Sequence, residues 1–149
     1  MTVISAQTIR KLGLIFPMCE RTLHEDTKTT FGLSSCGYDV RLDQQVRLEP
    51  GDFSLASTFE QFMMTDKVVG VVHDKSTWAR RGLAVQNTVI EPGWCGYLTL
   101  ELTNHSKDIL TLPKGTPIAQ ILFHFLDTET EIPYNGKYQN QERGPQRAR

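Results

Sequence analysis

The stretch IEPGWCGYLTLELT, residues 90–103, contains the turn and the strand that decide the fold of this chain. Its first part, at 91–94, is Glu-Pro-Gly-Trp, and proline followed by glycine is typical of a tight turn. In its second part, at 97–103, leucine occupies every second position. A period of two is typical of a strand that buries one face. The stretch therefore predicts a turn that leads into a half-buried β-strand.

Similar runs occur on both sides of this stretch. Alternating or β-branched segments are separated by turns that contain proline or glycine, and short strands at this spacing indicate a barrel or a sandwich. We therefore predict an all-β fold. The predicted strands lie at 38–42, 53–59, 67–72, 83–90 and 118–126, with further turns at 49–52 and 113–115.

The N-terminal part of the chain carries weaker signals. Residues 5–14 predict a short helix with Ser5 as its N-cap and Gly13 at its end. Serine accepts free N–H groups of the first turn, and glycine tolerates the left-handed conformation that follows the last turn. Residues 16–37 are polar and irregular, and this composition predicts a long loop.

Length and composition limit the classes of function. A chain of 149 residues with 39% hydrophobic and 22% charged residues is an ordinary single globular domain. The net charge of −1 indicates neither a nucleic-acid nor a membrane partner, and no apolar run approaches the roughly 20 residues that span a bilayer. Residues 1–10 lack the basic region and the apolar run that are typical of a secretory signal, and three scattered cysteines suit a reducing compartment. We therefore predict a cytoplasmic enzyme or binding module.

The C-terminal segment differs in composition from the rest. Residues 133–149 are polar and nearly free of aliphatic side chains, so they are expected to be disordered unless something holds them. Aromatic residues interleave with hydrogen-bond donors here, which also suits a flap over a phosphate-bearing ligand. Composition leaves both interpretations open. We divide the chain into one domain, residues 1–132, and this tail. The interleaved side chains are Tyr134, Lys137, Tyr138 and Gln141.

The segment HDKSTWARRG, residues 73–82, predicts a short helix at 76–81, capped by Ser76 and ended by Gly82. Residues four positions apart share a helix face, so Ser76 and Arg80 are expected to project together. A hydroxyl and nearby cations at a helix N-terminus favour the binding of an anion. The alternative, which the segment alone favours, is a structural cap beside solvated arginines.

Glu101 lies in the middle of the predicted strand, on the face opposite to its three leucines. If that face is covered, burial raises the pKa of the Glu101 carboxyl toward neutrality, as a general acid and base requires. If the face is wet, Glu101 is an ordinary surface residue. The pattern supports both interpretations. The turn before the strand is a simple hairpin turn, although Glu91 and Trp94 also offer a carboxylate for a sugar and a ring for a base.

Several motifs match one protein family in their order along the chain. GYDVRL at 37–42 is similar to an early strand of that family, and PGDFSL at 50–55 to its next turn and strand. KSTWAR at 75–80 stands where the family has Arg-Ser-Ser-x-Ala-Arg, and 90–101 matches its Ile-Asp-Pro-Gly-Trp block. The closing strand at 112–123 and the tail complete the set. The chain thus resembles the dCTP deaminases, in the dCTP deaminase and trimeric dUTPase superfamily.

The resemblance implies a fold and catalytic roles. The fold is a distorted β-barrel of the dUTPase-like β-clip type, with short helices, which assembles as a homotrimer with active sites between subunits. Glu101 would be the general base and acid that activates water for attack on C4 of the cytosine ring. Ser76 and Arg80 would position that water and stabilise the developing charge.

The resemblance also implies a nucleotide site. Lys75, Lys137 and Gln141 would hold the triphosphate, and Tyr134 would cover the nucleotide. Glu91 and Trp94 would hold the deoxyribose. The partners are then a deoxynucleoside triphosphate and further copies of this chain. The other nucleotide-binding positions that the resemblance implies are Thr77, Asn87, Ile90, Gln120 and Tyr138.

The expected reaction is metal-independent hydrolytic deamination of a deoxycytidine nucleotide, dCTP giving dUTP and ammonia. Mg²⁺ is expected only through the nucleotide phosphates. The zinc-dependent deaminases need His or Cys spaced with Glu, plus a Cys-x-x-Cys pair, and this chain has neither pattern. The alternatives are a bifunctional enzyme that continues to dUMP, a plain dUTPase, and a non-catalytic nucleotide-binding regulator.

Three departures from the family pattern bear on these alternatives. Lys75 replaces an arginine that offers two donors to phosphate. A replacement of this kind at a functional position favours the non-catalytic regulator. Glu91 replaces an aspartate that orients the attacking water in dUTPases, which argues against efficient diphosphatase chemistry. The tail lacks the Arg-x-x-Gly-Phe-Gly motif of dUTPases, and the connector at 83–89 is shorter than in bacterial deaminases.

Overall fold

The computed structural model describes residues 2–149. Strands dominate, and two short helices accompany them. The elements are β1 (Thr2–Val3), α1 (Ala6–Leu12), β2 (Ile15–Phe16), β3 (Thr22–Leu23), β4 (Thr30–Leu33), β5 (Tyr38–Arg41), β6 (Val46–Leu48), β7 (Phe53–Met63), β8 (Val68–Asp74), α2 (Ser76–Ala79), β9 (Leu83–Val85), β10 (Val89–Ile90), β11 (Cys95–Asn104), β12 (Leu110–Leu112) and β13 (Pro117–Phe125).

The strands form three antiparallel sheets. The largest has the order β10-β8-β13-β5-β4-β3, with β1 also paired to β13, and the second has the order β2-β7-β11-β9. A two-stranded ribbon joins β6 to β12. The all-β prediction is therefore confirmed. Each order has free ends, so no sheet of residues 2–149 closes on itself into a continuous barrel.

The core lies between the inward faces of these sheets. Val40 on β5, Ile121 on β13 and Leu100 on β11 are fully buried. Burying a side chain of this size stabilises the folded state by about 1.5–3 kcal/mol. The alternation predicted for 38–42 is confirmed for its apolar members, but Asp39 is buried as well, because β5 lies inside its sheet between β4 and β13.

Two predictions from local pattern are wrong. The segment 16–37 is not one long loop, because β3 pairs with β4 and β4 pairs with β5. The segment 83–90 is not one strand, because β9 pairs with β11 whereas β10 pairs with β8. Strands β9 and β10 are decided by pairing with strands distant in sequence, and a local window does not contain that information. Strands β3 and β4 pair with their neighbours in sequence, but they are only two and four residues long, too short for an alternating pattern to mark them.

The two helices follow their predicted signals to different extents. Helix α1 has Ser5 at its N-cap position and Gly13 after its end at φ 64°, as predicted, but the Ser5 hydroxyl makes no capping hydrogen bond to the backbone. Helix α2 begins at Ser76, but its N-cap is Lys75, so the prediction of Ser76 as the cap is wrong. Strand β8 runs to Asp74 and leaves a single extended residue, Lys75, before the helix. No helix within residues 2–149 is long and apolar enough to cross a membrane.

Candidate active site

A cavity of about 680 Å³ opens beside the middle of β11. Its walls come from the start of β7, the segment between β9 and β10, the turn before β11 and the C-terminal tail. The structure therefore brings together residues that lie far apart in sequence. The predicted site residues on its wall are Asn87, Ile90, Glu91, Trp94, Glu101, Tyr134, Tyr138 and Gln141.

Glu101 is half-buried on the wall of this cavity. Burial raises the pKa of its carboxyl above the ordinary value, and a hydrogen bond from its own backbone opposes this only in part. Among residues 2–149, no cation forms a salt bridge with it. The carboxyl is thus partly shielded from water without a compensating charge.

Strand β7 has a bulge opposite the start of β11. Tyr97 pairs with Gln61 on β7, whereas Thr99 pairs with Ser57, so the extra residues between these pairs lie on β7. Leu98 packs against the hydrophobic core and also contacts the cavity that Thr99 and Glu101 line. Leu100 and Leu102 are fully buried, as the predicted alternation of β11 requires.

The segment between β9 and β10 crosses from the second sheet to the first. Where the main chain leaves β11, the side chain of Asn87 remains beside it. Its Nδ2 donates to the Thr99 carbonyl at 2.8 Å, and its Oδ1 accepts from the Glu101 backbone N–H at 3.1 Å. The side chain of Asn87 therefore bonds to the backbone of β11 on both sides of Leu100.

The tail is held against the start of β11. Tyr134 N–H donates to the Pro92 carbonyl at 2.9 Å, and the Trp94 indole donates to the Tyr138 carbonyl at 2.8 Å. The amide of Gln141 donates to the Tyr97 carbonyl at 2.8 Å and to Thr99 Oγ1 at 2.9 Å. These bonds hold the tail to the turn and to β11, so that part of the tail forms a wall of the cavity. The tail residues on this wall are Tyr134, Tyr138, Gln141, Gln146, Arg147 and Ala148.

A second set of predicted residues lies elsewhere. Ser76, Lys75 and Gln120 line a separate cavity of about 130 Å³ with Asp39 and Asp74. Within one chain, the structure therefore does not bring Ser76 to the cavity of Glu101. Three further predicted residues, Thr77, Arg80 and Lys137, line neither cavity.

Lys75 is already paired in this second set. Its Nζ lies 2.7 Å from Oδ2 of Asp39, and both side chains are about nine-tenths buried, with 12% and 8% exposed. Burial raises the pKa of the Asp39 carboxyl, and the hydrogen bond from Lys75 opposes that rise. Asp39 Oδ1 has no hydrogen-bond partner among the described residues.

The large cavity also contains residues that the sequence did not indicate. Their positions follow from the β7 bulge, the crossing segment and the folded tail, none of which a local pattern shows. One of them, Phe53 at the start of β7, is an aromatic side chain that is 59% exposed in the structure. The additional residues are Phe53, Leu55, Gln86, Thr88, Val89, Leu98, Thr99, Gln146, Arg147 and Ala148.

No group of three or more His, Cys, Asp or Glu side chains in residues 2–149 is placed to hold a metal ion. Among the described residues, the carboxyl of Glu101 thus has no salt-bridge partner and no cluster of metal ligands around it. What the cavity offers is one carboxyl of raised pKa, apolar walls and backbone groups, an arrangement suited to proton transfer on a neutral ring.

Comparison with known proteins gives one family. A family model described as dCTP deaminase-like matches residues 18–126. The dCTP deaminase of Pseudomonas putida (strain W619) is 31% identical over 95% of this chain and 96% of its own length. That of Chlamydia felis is 30% identical over the same shares, and that of Acidobacterium capsulatum is 32% identical over 87% and 88%.

Solved structures with a similar fold are dUTPases. The EIAV dUTPase has a TM-score of 0.56 at 22% identity, covering 68% of this chain and 84% of its own. A Staphylococcus bacteriophage 80alpha dUTPase has a TM-score of 0.61 at 16% identity, covering 87% and 95%. At these identities the likeness concerns the fold alone, which is dUTPase-like.

Proposed function

The chain belongs to the dCTP deaminase-like family, and from this premise we propose that it deaminates dCTP hydrolytically to dUTP and ammonia. The observation that carries the proposal is the position of Glu101. Its half-buried carboxyl, whose pKa is raised by burial, lies in a cavity that also contains Glu91 and Trp94 of the turn and Tyr134 of the tail.

The chemistry needs one group that first takes a proton and then returns it. Glu101 as carboxylate removes a proton from water, whose oxygen bonds to C4 of the cytosine ring while ring N3 is protonated. The amino group then leaves C4 as ammonia, with the proton from the hydroxyl, and a carbonyl remains. A pKa raised toward the working pH favours both steps, because the group must be a competent base and a competent acid.

We propose further that the active site is completed between subunits of a homotrimer. Trp78 is buried, and its indole donates to the Pro117 carbonyl. This bond fixes one face of α2, so the exposed Ser76 and Arg80 project away from the chain's own core. A second copy would supply the Glu101 that they serve, positioning the water and stabilising the charge on the ring.

The nucleotide would lie between the turn and the tail. Glu91 and Trp94 would hold the deoxyribose, and Tyr134 would cover it. Lys75, Lys137 and Gln141 would hold the triphosphate with its Mg²⁺, after exchanging their present partners in the chain. The remaining proposed contacts are Thr77, Ile90, Gln120 and Tyr138, with residues 133–149 acting as the closing segment. Asn87 lines the same cavity, but both groups of its side-chain amide are bonded to β11. The three free cysteines support a reducing, cytoplasmic setting.

The decisive experiment is a product-resolved assay of the purified chain with dCTP and Mg²⁺. Equal amounts of dUTP and ammonia are the expected result. Formation of dUMP and pyrophosphate would instead support the bifunctional alternative, and hydrolysis of dUTP without attack on dCTP would support a plain dUTPase. Thermal stabilisation by dCTP without any product would support a non-catalytic regulator and refute the proposed reaction.

A further inference from the structure

The edge of β11 next to Glu101 is unusual, because its ladder changes partner in mid-strand. Strand β9 pairs with β11 at Leu102↔Val85 and Thr103↔Ala84. The ladder continues one step further, since the Gln86 N–H donates to the Glu101 carbonyl at 2.8 Å. Up to this point the edge of β11 is satisfied by main-chain groups.

Beyond Gln86 the main chain departs for the other sheet. Val89 already pairs with Val71 on β8, and the Thr88 carbonyl accepts from Val72 N–H at 3.4 Å. The next two ladder groups on β11, the N–H of Glu101 and the carbonyl of Thr99, are left without a main-chain partner. Unpaired buried backbone groups are costly, so something must bond to them.

The side-chain amide of Asn87 bonds to both groups. It accepts from Glu101 N–H at 3.1 Å and donates to the Thr99 carbonyl at 2.8 Å. An amide side chain carries the same donor and acceptor as a peptide group. Asn87 thus continues the ladder while its main chain is already turning away, which leaves the cavity beside Glu101 open to a ligand.

We infer that Asn87 is a positioning residue, whose side chain replaces the departed strand and fixes the backbone of Glu101 against the cavity. This inference rests on the proposed deaminase function for its kinetic consequences, but not for its geometry. The competing role for Asn87 is direct recognition of the nucleotide. It is disfavoured because the donor and the acceptor of the side-chain amide are already bonded to β11.

The two hydrogen bonds from the Asn87 side chain to β11 form a clamp on the backbone of Glu101. Loss of this clamp has two physical consequences. A carboxyl displaced by about 1 Å from its productive position costs on the order of 100-fold in rate. A loosened segment also admits water to Glu101, which lowers the pKa of its carboxyl and moves the acidic limb of the kcat profile to lower pH. The other titratable groups on the cavity wall are Glu91, Tyr134, Tyr138 and Arg147, and this change leaves all of them in place.

The test compares Asn87→Ala and Asn87→Asp with a matched control. Thr103→Val removes the bond from the Thr103 hydroxyl to Gln86 Oε1, which joins the same segment to the same strand away from Glu101. Asn87→Ala should lower kcat by about 10- to 100-fold with little change in KM for dCTP. Asn87→Asp keeps the acceptor for the Glu101 N–H, loses the donor to the Thr99 carbonyl and places a second negative charge near the Glu101 carboxylate. The acidic limb of the kcat profile of this variant should therefore move to higher pH. Thr103→Val should match the unmodified chain.

Three outcomes would overturn the inference. A raised KM with unchanged kcat would assign Asn87 to nucleotide binding, and equal losses in Thr103→Val would reduce its role to general support of the segment. The third readout is independent of turnover: amide hydrogen exchange at Glu101 should lose protection in Asn87→Ala, or in Asn87→Leu if the alanine variant does not fold, because both variants remove the oxygen that accepts from the Glu101 N–H. Unchanged protection rejects the inference. An unmodified chain that is inactive on dCTP defeats the proposed function alone.

Discussion

The ammonium of Lys75 lies 2.7 Å from the carboxylate of Asp39, in a contact that is almost withdrawn from solvent. Lys75 is the last extended residue before α2, and Asp39 lies on β5. The pair therefore ties the start of the helix that carries Ser76 to the largest sheet. Because one oxygen of Asp39 has no partner among the described residues, Lys75 is the main compensation for a buried charge.

Removal of that compensation should destabilise the fold. Lys75→Met keeps most of the side-chain volume and leaves Asp39 uncompensated, so we expect a loss of about 3 kcal/mol in the free energy of unfolding. Urea unfolding measures it. Asp39→Asn in the same chain should recover much of the loss, and a double-mutant cycle that shows no coupling between the two sites would contradict this account.

Neutralising Glu101 should stop the reaction and stabilise the protein. Glu101→Gln removes the proton carrier, and a loss of at least about 1000-fold in deamination is expected from the product assay. Ser54→Ala is a control for disturbance of the sheet, because Ser54 lies on β7 opposite Leu102, one register step from the pair of Glu101 with Leu55. Deamination by Glu101→Gln at more than a few per cent of the normal rate would remove Glu101 from the mechanism.

The same variant predicts a pH dependence of stability. Burial raises the pKa of Glu101 in the folded chain above its unfolded value, so the protonated form favours folding. This contribution is complete below the unfolded pKa and is lost as pH rises through the folded pKa. The glutamine of Glu101→Gln does not titrate, so the Tm of this variant should match that of the unmodified chain in acid and exceed it near neutrality. The difference should be modest, because half of the Glu101 carboxyl is solvated. A Tm difference independent of pH would contradict this assignment.

Sites between subunits predict complementation of two inactive variants. Ser76→Ala and Glu101→Gln should each be inactive alone. In randomly mixed trimers made by co-expression, about one quarter of the sites combine an intact Ser76 with an intact Glu101 from a different chain. Deamination assays of the co-purified mixture should then show about that fraction of normal activity. No recovery in demonstrably mixed oligomers would place both residues in one chain's site or rule out their cooperation.

Arg143 anchors the tail to the rest of the chain, so its replacement should change the KM for the nucleotide. Arg143 donates to Asp43 Oδ1 at 2.8 Å and to the Tyr97 hydroxyl at 3.1 Å, and its guanidinium lies 4.5 Å from the Tyr97 ring centroid. Arg143→Ala should loosen the cavity wall and raise KM for dCTP by about 3- to 10-fold, equivalent to about 1 kcal/mol. Steady-state kinetics measures this.

The control for the tail anchor is Arg10→Ala. Arg10 forms an exposed pair with Glu20 at 2.6 Å, far from the cavity wall in sequence and outside its lining. It should leave KM unchanged. Equal values of KM for the two variants, whichever way they move, would show that the tail anchor has no specific part in binding.

Local patterns determined the parts of this protein that depend on neighbours in sequence. The alternation in 97–103 and the turn at 91–94 were sufficient to predict β11 and its entry, because side chains of a strand alternate between faces whatever the partner strand is. The same holds for α1, where Ser5 and Gly13 define the ends. The ordered motifs also identified the family, and they selected Glu101, which the structure places on the cavity wall.

Only the tertiary structure decided which of these residues meet. The split of 83–90, the bulge opposite Leu98 and the folded tail depend on contacts between segments distant in sequence, so no window of the chain contains them. Lys75 shows this most clearly: its residue type suits a phosphate, and only the fold shows that its partner within the chain is the buried Asp39. The physical reason is that charge and hydrogen-bond partners are assigned by burial, and burial is a property of the whole fold.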